Sequence, residues 1–477
     1  MNMKKNHCSV TTTLPYVNSD PHIGFALELV QADCFARYRA LLGDEVFLNT
    51  GTDEHGQKIF EKAQEEGVSP QEYTDRYAAR FLELTSALNT SVTHFIRTTD
   101  PAHIHAAQEF WKRCEAKGDI YKKEYSVKYC VGCELEKTDS ELVNGRCPLH
   151  PNRELELREE ENYFFRFSKY QDALLALYNE RPDFVVPEHR LKEIRSFVER
   201  GLEDFSISRL KEKMSWGVPV PGDSKQVMYV WFDALVNYLS TLGWPDEKYR
   251  TWWPSVQFAG KDNLRQQSAM WQAMLLSAGI EPSRQIFIHG FVMSGGQKMS
   301  KSLGNVIDPF SLIDEYGADV VRYFLLREVH PFEDSDVTEA RFKEAYNANL
   351  ANGLGNLVSR VMKLVELYFN EPIDCSELFQ FSFPEEYMFA MEQYRFSEAM
   401  DVVWKKIGKA DFKIAETEPF KLVKTDKEAA RKIIQELTCE LYFIAHLLAP
   451  CMPETAQKIK EAVLTNKKPD PLFLRKE

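Results

Sequence analysis

Residues 8–49 are CSVTTTLPYVNSDPHIGFALELVQADCFARYRALLGDEVFLN, and the architecture can be built outward from them. A β-branched run at 8–14 precedes a turn rich in Pro, Asn, Ser and Asp, which predicts a strand and a loop. The next segment has apolar residues at spacings of three and four and ends near Gly43, which predicts a helix with a glycine cap. Residues 45–49 predict a second strand, and a strand–helix–strand unit indicates a parallel, doubly wound sheet.

The β pattern is interrupted and then resumes. Residues from about 116 to 225 are irregular and charged, whereas strand-like segments return at 227–232 (VMYVWF) and 257–260 (QFAG). We interpret this pattern as an insertion that splits an α/β nucleotide-binding fold of the Rossmann type. Towards the C-terminus, long stretches with helical periodicity predict an all-α helical bundle, which begins near Asp336 and Glu339, a pair typical of a helix start.

The length, composition and charge of the chain limit the classes of protein to which it can belong. A chain of 477 residues exceeds what one hydrophobic core usually supports, so several domains are expected. No stretch approaches the roughly 18 apolar residues of a membrane span, so no membrane partner is expected. The N-terminus lacks the apolar core of a secretory signal, which favours the cytoplasm. A net charge of −13 argues against a surface that binds nucleic acid everywhere, but it leaves room for a local basic track.

The segment LPYVNSDPHIGF (14–25) brings His22 and Gly24 to the start of the predicted helix. Backbone N–H groups and the helix dipole favour an anion at such a position, so this is a candidate phosphate site. Taken alone, the pattern is more often a helix-capping turn with an incidental histidine.

A second motif, GQKMSKSLGN at 296–305, carries Lys298 and Lys301 on a glycine-flanked loop. Ammonium groups on a loop that closes can meet the charge that develops on a pyrophosphate leaving group. Two spaced lysines alone would more often form a solvated loop. The full pentapeptide KMSKS, combined with PHIG far upstream in an interrupted α/β domain, is much more specific.

Together PHIG and KMSKS resemble the two signatures of class I aminoacyl-tRNA synthetases. Within that class the chain is similar to the methionyl-tRNA synthetases over essentially its whole length, through TLPYVN, GTDEHG (51–56), ENYFF (161–165), YVWFDA (229–234), GKDN (260–263), IHGF (288–291) and KMSKSLGNVIDP (298–309). The resemblance implies activation of L-methionine by ATP, with Mg²⁺ bound to the ATP, and transfer of methionine to tRNA(Met).

The resemblance also assigns roles to matching positions. Those implied in handling ATP are His22, Gly24, Gly260, Asp262, His289, Gly290, Lys298 and Lys301, with His22 and the two lysines catalytic. Those implied in binding methionine are Leu14, Tyr16, Asp53, Trp231, Ala234, Tyr238 and Gln267. The pocket also makes chemical sense, because aromatic rings contact a polarizable thioether favourably and a buried carboxylate needs a cation such as the substrate ammonium. Taken singly, the aromatic residues are more often part of a core.

Three departures from the family pattern lie at or beside these positions. Phe25 stands where a second histidine is usual, so one phosphate donor is absent, and loss of one preorganised donor typically costs about 2.7–4 kcal/mol of transition-state stabilisation. Gln267 stands where a pocket histidine is common, and Leu235 stands where proline often follows Asp-Ala. Amide and imidazole can each offer one polar contact near the sulfur.

Three of the nine cysteines cluster with a histidine, as Cys130-Val-Gly-Cys133 and Cys147-Pro-Leu-His150. This is the spacing of two short knuckles that close a tetrahedral Cys3His shell, and such ligands favour one structural zinc ion per chain. The alternative is a set of reduced cysteines without metal. The scattered cysteines do not indicate a disulfide framework. The resemblance supports zinc and places the knuckle in the insertion that frames the tRNA acceptor end.

The segment ANGLGNLVSRVMKL resembles the helix with which the family reads its anticodon. It makes Asn356 and Arg360, one turn apart on one face, candidate base contacts, against the alternative of a solvated helix face. Phe420 stands where a tryptophan commonly stacks on an anticodon base. The chain ends at Glu477 without the additional module that some relatives append, so we expect a monomer.

The sequence therefore predicts a cytoplasmic methionine–tRNA ligase. The alternatives are another class I aminoacyl-tRNA synthetase and a catalytically inactive RNA-binding relative, which Phe25 alone supports. The predicted domains are the first half of a Rossmann-like catalytic domain (1–115), a connective insertion (116–225) with a zinc knuckle at about 126–160, the second catalytic half (226–295), the KMSKS loop and stem-contact region (296–340) and a helical anticodon-binding domain (341–477).

Overall fold

The computed structural model describes residues 6–137, 142–299, 304–373, 375 and 382–477. Numbered in chain order, its strands are β1 His7–Thr11, β2 Glu45–Thr52, β3 His94–Arg97, β4 Ile120–Cys130, β5 Leu135–Lys137, β6 Glu156–Phe165, β7 Val185–Val186, β8 Phe205–Ser206, β9 Ser208–Leu210, β10 Gln226–Met228, β11 Val256–Gly260, β12 Gln285–His289, β13 Val292–Ser294, β14 Gln297–Lys298 and β15 Ser335–Asp336. The α-helices are α1 Ile23–Leu41, α2 Gln57–Glu66, α3 Pro70–Ala87, α4 Pro101–Ala116, α5 Gln171–Glu180, α6 Glu188–Glu199, α7 Val230–Ala234, α8 Asn237–Ser240, α9 Trp271–Ser277, α10 Pro309–Tyr316, α11 Ala318–Tyr323, α12 Glu339–Ala345, α13 Asn356–Tyr368, α14 Glu385–Glu392, α15 Phe396–Thr417, α16 Pro419–Leu422, α17 Lys427–Leu448 and α18 Pro453–Thr465.

The chain divides into two compact units. Unit 1 comprises the residues up to Pro21, Asp44–Glu83 and Val92–Ile288, and unit 2 comprises His22–Gly43, Leu84–Ser91 and His289–Glu477. None of the helices in the described ranges combines the length and the apolar character that crossing a bilayer requires.

Unit 1 is built on a six-stranded sheet with the order β3-β2-β1-β11-β12-β7. β1 pairs in parallel with β2 and β11, β2 with β3, and β12 with β7. β11 is buried throughout and β1 at all but its first residue, as expected of parallel strands that are covered on both faces. Strand order reverses between β1 and β11, and α/β sheets bind ligands at the carboxyl ends of strands at such a switch point.

The segment between β3 and β11 contributes a second sheet. It is antiparallel, with the order β5-β4-β6-β8, and β9 and β10 form a separate pair. β7, which lies within the predicted insertion, pairs with β12 at the edge of the central sheet. A continuous core packs around large aromatic side chains, among which the Phe110 and Trp271 rings stack at 5.6 Å.

Unit 2 contains α1, α10–α18 and a small sheet with the order β14-β13-β15. α1 is buried on nearly all sides, and its Asp33 carboxylate lies 2.7 Å from the buried guanidinium of Arg322. Arg322 also donates to the carbonyls of Pro450 and Cys451, at 2.9 and 2.8 Å. The central sheet of unit 1 and these helices confirm the predicted α/β architecture with a helical C-terminal region.

One sequence-based expectation is corrected, and two others gain detail. The strand predicted over 227–232 ends at Met228, and residues 230–234 form α7, because the Asp233 carboxylate is held by histidines from other elements. The helix expected to begin near Asp336 is α12, which is capped by Thr338, whose hydroxyl accepts from the Arg341 N–H at 3.2 Å. Among the described residues, a single disulfide joins Cys375 to Cys439, two of the cysteines outside the predicted metal site.

Candidate active site and metal centre

Asp53 follows the carboxyl end of β2, beside the loop that leaves β1. Its backbone forms a parallel bridge with Tyr16, and its side chain is 4% exposed. Its Oδ1 atom has no hydrogen-bond partner among the described residues. Burial raises the pKa of Asp53 well above its ordinary value, and the negative charges of Asp233, Glu134 and Glu54 raise it further. Among the described residues of unit 1, Asp53 is therefore a buried carboxyl group with one oxygen left unpaired.

A neighbouring buried carboxylate, Asp233 on α7, is fully compensated. One of its oxygens lies 3.0 Å from Nδ1 of His55, and the other lies 3.3 Å from Nε2 of His103. The second histidine contacts the Ser240 hydroxyl at 2.9 Å. Burial opposes ionisation of Asp233, yet the two histidines hold its pKa below the ordinary value. Asp233 thus anchors α7 to β2 and α4, whereas Asp53 keeps an acceptor available for a ligand.

Further candidate positions lie on α7, on α8 and on the π-helical turn Gln266–Met270. The amide of Gln267 donates to the Tyr238 hydroxyl at 2.8 Å, and both side chains are buried. Within the described ranges, neither the Gln267 carbonyl oxygen nor the Trp231 indole N–H has a hydrogen-bond partner. The Asn49 amide lies 3.4 Å from Asn237 and ties β2 to α8. Polar groups at these positions are therefore also available to a substrate.

The phosphate candidates of unit 2 lie at the start of α1 and after β12. His22 is the N-cap of α1, and its Nδ1 accepts from the Gly24 N–H at 3.0 Å. This ring nitrogen therefore caps the helix, which is the alternative role considered for the motif. His289 Nε2 lies 2.9 Å from a Glu28 carboxylate oxygen on the same helix. A Cβ at Gly290 would lie 2.2 Å from the Glu333 backbone, so only glycine fits there.

The remaining ATP candidates fall in different parts of the chain. Lys298 is exposed on β14, with its ammonium 4.4 Å from the Phe291 ring centroid. Lys301 lies outside the described residues. Gly260 ends β11 in unit 1 and is buried, and Asp262 is exposed on the short 3₁₀ helix that follows. Phe25, in place of a second histidine, is buried in α1.

The four predicted metal ligands converge at the end of β4. Their ligand atoms all lie within 4.8 Å of one another, and Cys133 Sγ is 3.3 Å from Cys147 Sγ and 3.2 Å from His150 Nδ1. Ligand atoms around a tetrahedral zinc ion are roughly 3.6–3.8 Å apart, given Zn–S and Zn–N bonds of about 2.3 and 2.0 Å. A Cβ at Gly132 would lie 2.5 Å from the His150 ring, so glycine is required for the ring to reach the thiols. The donor set and its spacing fit a four-coordinate metal.

Comparisons with known proteins place the chain in a family. The family model "tRNA synthetases class I (M)" matches residues 8–156 and 139–362. The methionine–tRNA ligase of Thermotoga maritima is 40% identical over 478 residues, which cover 96% of this chain and 76% of that protein. The chain belongs to the methionyl-tRNA synthetase family.

The methionine–tRNA ligase of Thermosynechococcus vestitus is 50% identical over 370 residues, covering 76% of this chain and 70% of that protein. A solved structure of the Mycobacterium tuberculosis methionyl-tRNA synthetase in complex with methionyl-adenylate is 36% identical, with a TM-score of 0.90 over 99% of this chain and 100% of that one.

The family resemblance predicted from the motifs is therefore confirmed, and the positions it selected can be compared with the structure. Direct contacts link Tyr16 to Asp53 and Gln267 to Tyr238, and α7 carries Trp231 and Ala234. Leu14 is half-buried in the loop after β1.

Sequence reasoning missed three buried polar residues in this part of the structure. It missed the buried pair His55 and His103, and it missed Glu134, which accepts a hydrogen bond from Tyr16 at 2.9 Å. His55 lies within the GTDEHG motif, which could have drawn attention to it, whereas Glu134 had no signal beyond its position after Cys133.

The helix expected to contact RNA is α13. Asn356 is exposed at its first position, and Arg360 one turn later is half-buried and lies 3.1 Å from the Asp411 carboxylate on α15. Phe420 is 44% exposed on the short helix α16. The arginine is thus held by a carboxylate, and the aromatic ring is available for stacking.

Proposed function

We propose that this chain is a methionine–tRNA ligase that converts L-methionine and ATP to methionyl-adenylate and pyrophosphate and then esterifies tRNA(Met), releasing AMP. In the first step the methionine carboxylate attacks the α-phosphorus of ATP. In the second, a hydroxyl of the terminal ribose attacks the activated carbonyl. Family membership supports this reaction, since the relatives above carry the name methionine–tRNA ligase. No covalent enzyme intermediate is needed.

The observation that carries the proposal is the buried carboxyl group of Asp53, which accepts a backbone hydrogen bond from His55 but has one unpaired oxygen among the described residues. Its nearby charges are negative. A ligand ammonium would supply the missing cation and hydrogen bonds. An α-amino acid is the ligand class that brings an ammonium next to the carboxylate that is to be activated.

The other end of the pocket suits a thioether. Tyr16, Trp231 and Tyr238 offer aromatic surface, which attracts sulfur by roughly 0.3–1.5 kcal/mol per contact. The Gln267 amide donates to the Tyr238 hydroxyl at 2.8 Å, so this end of the proposed pocket also presents polar groups near the sulfur. Leu14 and Ala234 would complete the apolar wall. Glutamine in place of the family's histidine therefore keeps a polar contact on this side.

Catalysis would depend on positioning and on charge stabilisation. We propose that His22 and Gly24 at the start of α1 bind the ATP phosphates, that Gly260, Asp262, His289 and Gly290 hold the nucleoside, and that Lys298 and Lys301 stabilise the departing pyrophosphate. Mg²⁺ bound with ATP would neutralise part of the phosphate charge. With Phe25 unable to donate, the lysines and His22 would carry the stabilisation that a second histidine supplies in relatives.

Cys130, Cys133, Cys147 and His150 would hold one zinc ion. Zinc bound by four protein ligands supplies folding stability rather than an open catalytic position. The support is the donor set and its spacing.

The helical region 341–477 would bind the anticodon through Asn356, Arg360 and Phe420. The catalytic halves would be residues 1–115 and 226–295, with the connective insertion 116–225 and the loop region 296–340 closing on the acceptor end. We propose that the protein acts in the cytoplasm, where tRNA is charged for protein synthesis. We also predict that the protein is a monomer. Light scattering of the purified protein would measure its oligomeric state.

Amino-acid-dependent ATP–pyrophosphate exchange tests the proposal. We expect exchange with methionine and little with a panel of other amino acids. Exchange with a different amino acid would favour another class I synthetase. No exchange with any amino acid, from folded protein that binds tRNA, would favour a catalytically inactive relative.

A further inference from the structure

Glu134 connects the metal-binding knuckle to the pocket described for methionine. It directly follows Cys133, is 5% exposed and has a φ of 52°, in the left-handed region. A non-glycine residue in that region is strained and persists where surrounding contacts over-determine it, which makes such an outlier a sign of function.

The contacts of Glu134 reach three separate segments. Its Oε1 atom accepts from the Lys58 backbone N–H at 2.7 Å and lies 2.9 Å from the Tyr16 hydroxyl, which also lies 2.7 Å from the His55 carbonyl. Its backbone carbonyl accepts a hydrogen bond from the Tyr229 hydroxyl. Its other carboxylate oxygen lies against Gly56, where an added Cβ would come within 2.7 Å of it. One side chain therefore fixes several neighbours at once.

Each of these partners begins or flanks an element of the pocket. Tyr16 forms the bridge with Asp53, and Tyr229 directly precedes α7, which carries Trp231. Lys58 is the second residue of α2, and the N-cap of that helix, Gly56, has no side chain to cap it. The Glu134 carboxylate supplies the cap from outside, where a negative charge is favoured by the helix dipole.

The position of Glu134 depends on the knuckle. The Cys133 N–H donates to the Cys130 carbonyl at 3.2 Å in the turn that presents both thiols, and Glu134 is the next residue. A metal bound to Cys133 would fix the backbone from which the Glu134 side chain projects.

We propose that Glu134 is a positioning residue through which the Cys3His centre holds Tyr16, Tyr229 and α2 in the arrangement that binds methionine. The proposal rests on the proposed function, since it assumes that this pocket takes methionine. It gives the metal centre a second role, in substrate affinity as well as in folding.

Replacement of the side chain gives the first test. Glu134→Ala should weaken methionine binding, measured by titration calorimetry, on the order of tenfold or more, because hydrogen bonds to a carboxylate are lost. The KM for methionine should rise accordingly, and the KM for ATP should stay unchanged. Glu134→Gln should retain most of the affinity, since its carbonyl oxygen can take the place of Oε1, accept from the Lys58 N–H and contact the Tyr16 hydroxyl. A merely structural role would lower the folded fraction instead of the affinity of the folded protein.

Glu154→Ala is the matched control, because Glu154 is an exposed glutamate close after His150. It should bind methionine like the wild type. Wild-type affinity in Glu134→Ala would overturn the inference on its own. If the wild-type protein itself shows no methionine-dependent exchange, the proposed function fails instead, so the two failures are distinguishable.

The link to the metal is tested with Cys147→Ser, which removes a ligand from the other knuckle. This variant should contain less zinc and bind methionine more weakly, whereas Glu134→Ala should keep a full complement of zinc. The double variant should bind methionine no more weakly than the weaker single variant, because both changes act through one route. Fully additive losses would show that the metal centre does not act through Glu134.

Discussion

Replacing Asp53 with asparagine should raise stability and lower methionine affinity at the same time. The carboxylate is buried, its Oδ1 atom lacks a partner among the described residues, and burial together with nearby negative charges raises its pKa. Asparagine has nearly the same shape but carries no charge. The substitution therefore removes an electrostatic cost from the ligand-free protein and a counter-ion from the bound ammonium.

The gain in stability can be given a magnitude and a sign. Asparagine keeps a polar atom at the unpaired position but removes the cost of ionising a buried carboxylate, so Asp53→Asn should raise the free energy of unfolding of unit 1 at neutral pH by roughly 0.5–2 kcal/mol, as stabilising substitutions commonly do. The corresponding rise in Tm is roughly 2–4 °C per kcal/mol. Because the pKa of Asp53 is raised in the folded protein, its stabilising contribution is complete below the unfolded pKa of about 3.9 and is lost as the pH rises through the folded pKa. The advantage of asparagine should therefore be absent in acid and grow as the pH rises.

The loss of affinity should be larger. Removing one partner of a buried ion pair costs about 3–5 kcal/mol, which corresponds to roughly two to nearly four orders of magnitude in Kd. An analogue of methionine that lacks the amino group separates this effect from others. The wild type should bind methionine far more tightly than the analogue, and Asp53→Asn should bind the two almost equally.

Calorimetric titration with both ligands and thermal unfolding over a range of pH measure these quantities. Asp172→Asn, at an exposed position on α5, is the control and should change neither. The reasoning is refuted if Asp53→Asn is less stable than the wild type at neutral pH and still prefers methionine over the analogue.

Three further outcomes are expected. Cys133→Ser should lower the zinc content and increase hydrogen exchange over residues 125–160, and purified wild-type protein without zinc would contradict the site. Lys301→Ala should depress pyrophosphate exchange far more than methionine binding, and unchanged exchange would remove the proposed role of this lysine. Arg360→Ala should alter stability by less than about 1 kcal/mol, since its pair with Asp411 is partly exposed, but should raise the KM for tRNA without affecting pyrophosphate exchange. An unchanged KM for tRNA would instead support the alternative that Arg360 lies on a solvated helix face without contacting RNA.

The fold was predictable wherever local sequence determines local structure. β-branched residues in β1, helical spacing in α1 and a glycine at the end of α1 predict a strand–helix–strand unit, and β2 follows as expected. The error at 227–232 has a non-local cause. Aromatic and β-branched residues there favour a strand. However, Asp233 binds His55 and His103, which are distant in sequence, and a helical turn places its carboxylate between them.

The candidate site was predictable only where a motif marks it. The proposed methionine-binding residues and the four candidate metal ligands lie in recognisable segments, and the structure brings the four candidate ligands together. Glu134 was missed because its importance lies in hydrogen bonds to Tyr16 and Lys58, which no spacing rule connects to a position after a cysteine. The role of Lys301 stays a prediction from its motif.

The burial of α1 has a consequence for how the protein is made. This helix is enclosed in unit 2 on nearly all sides, and Cys34 contacts Cys451, a partner 417 residues later in the chain. At about 5–20 residues per second a ribosome needs roughly 20–80 s to reach that partner. Throughout this interval the nascent chain displays an apolar helix whose enclosing residues have not yet been synthesised. Early binding of a chaperone to this segment is therefore an expected part of biogenesis, and a prematurely terminated chain would keep the segment uncovered for degradation.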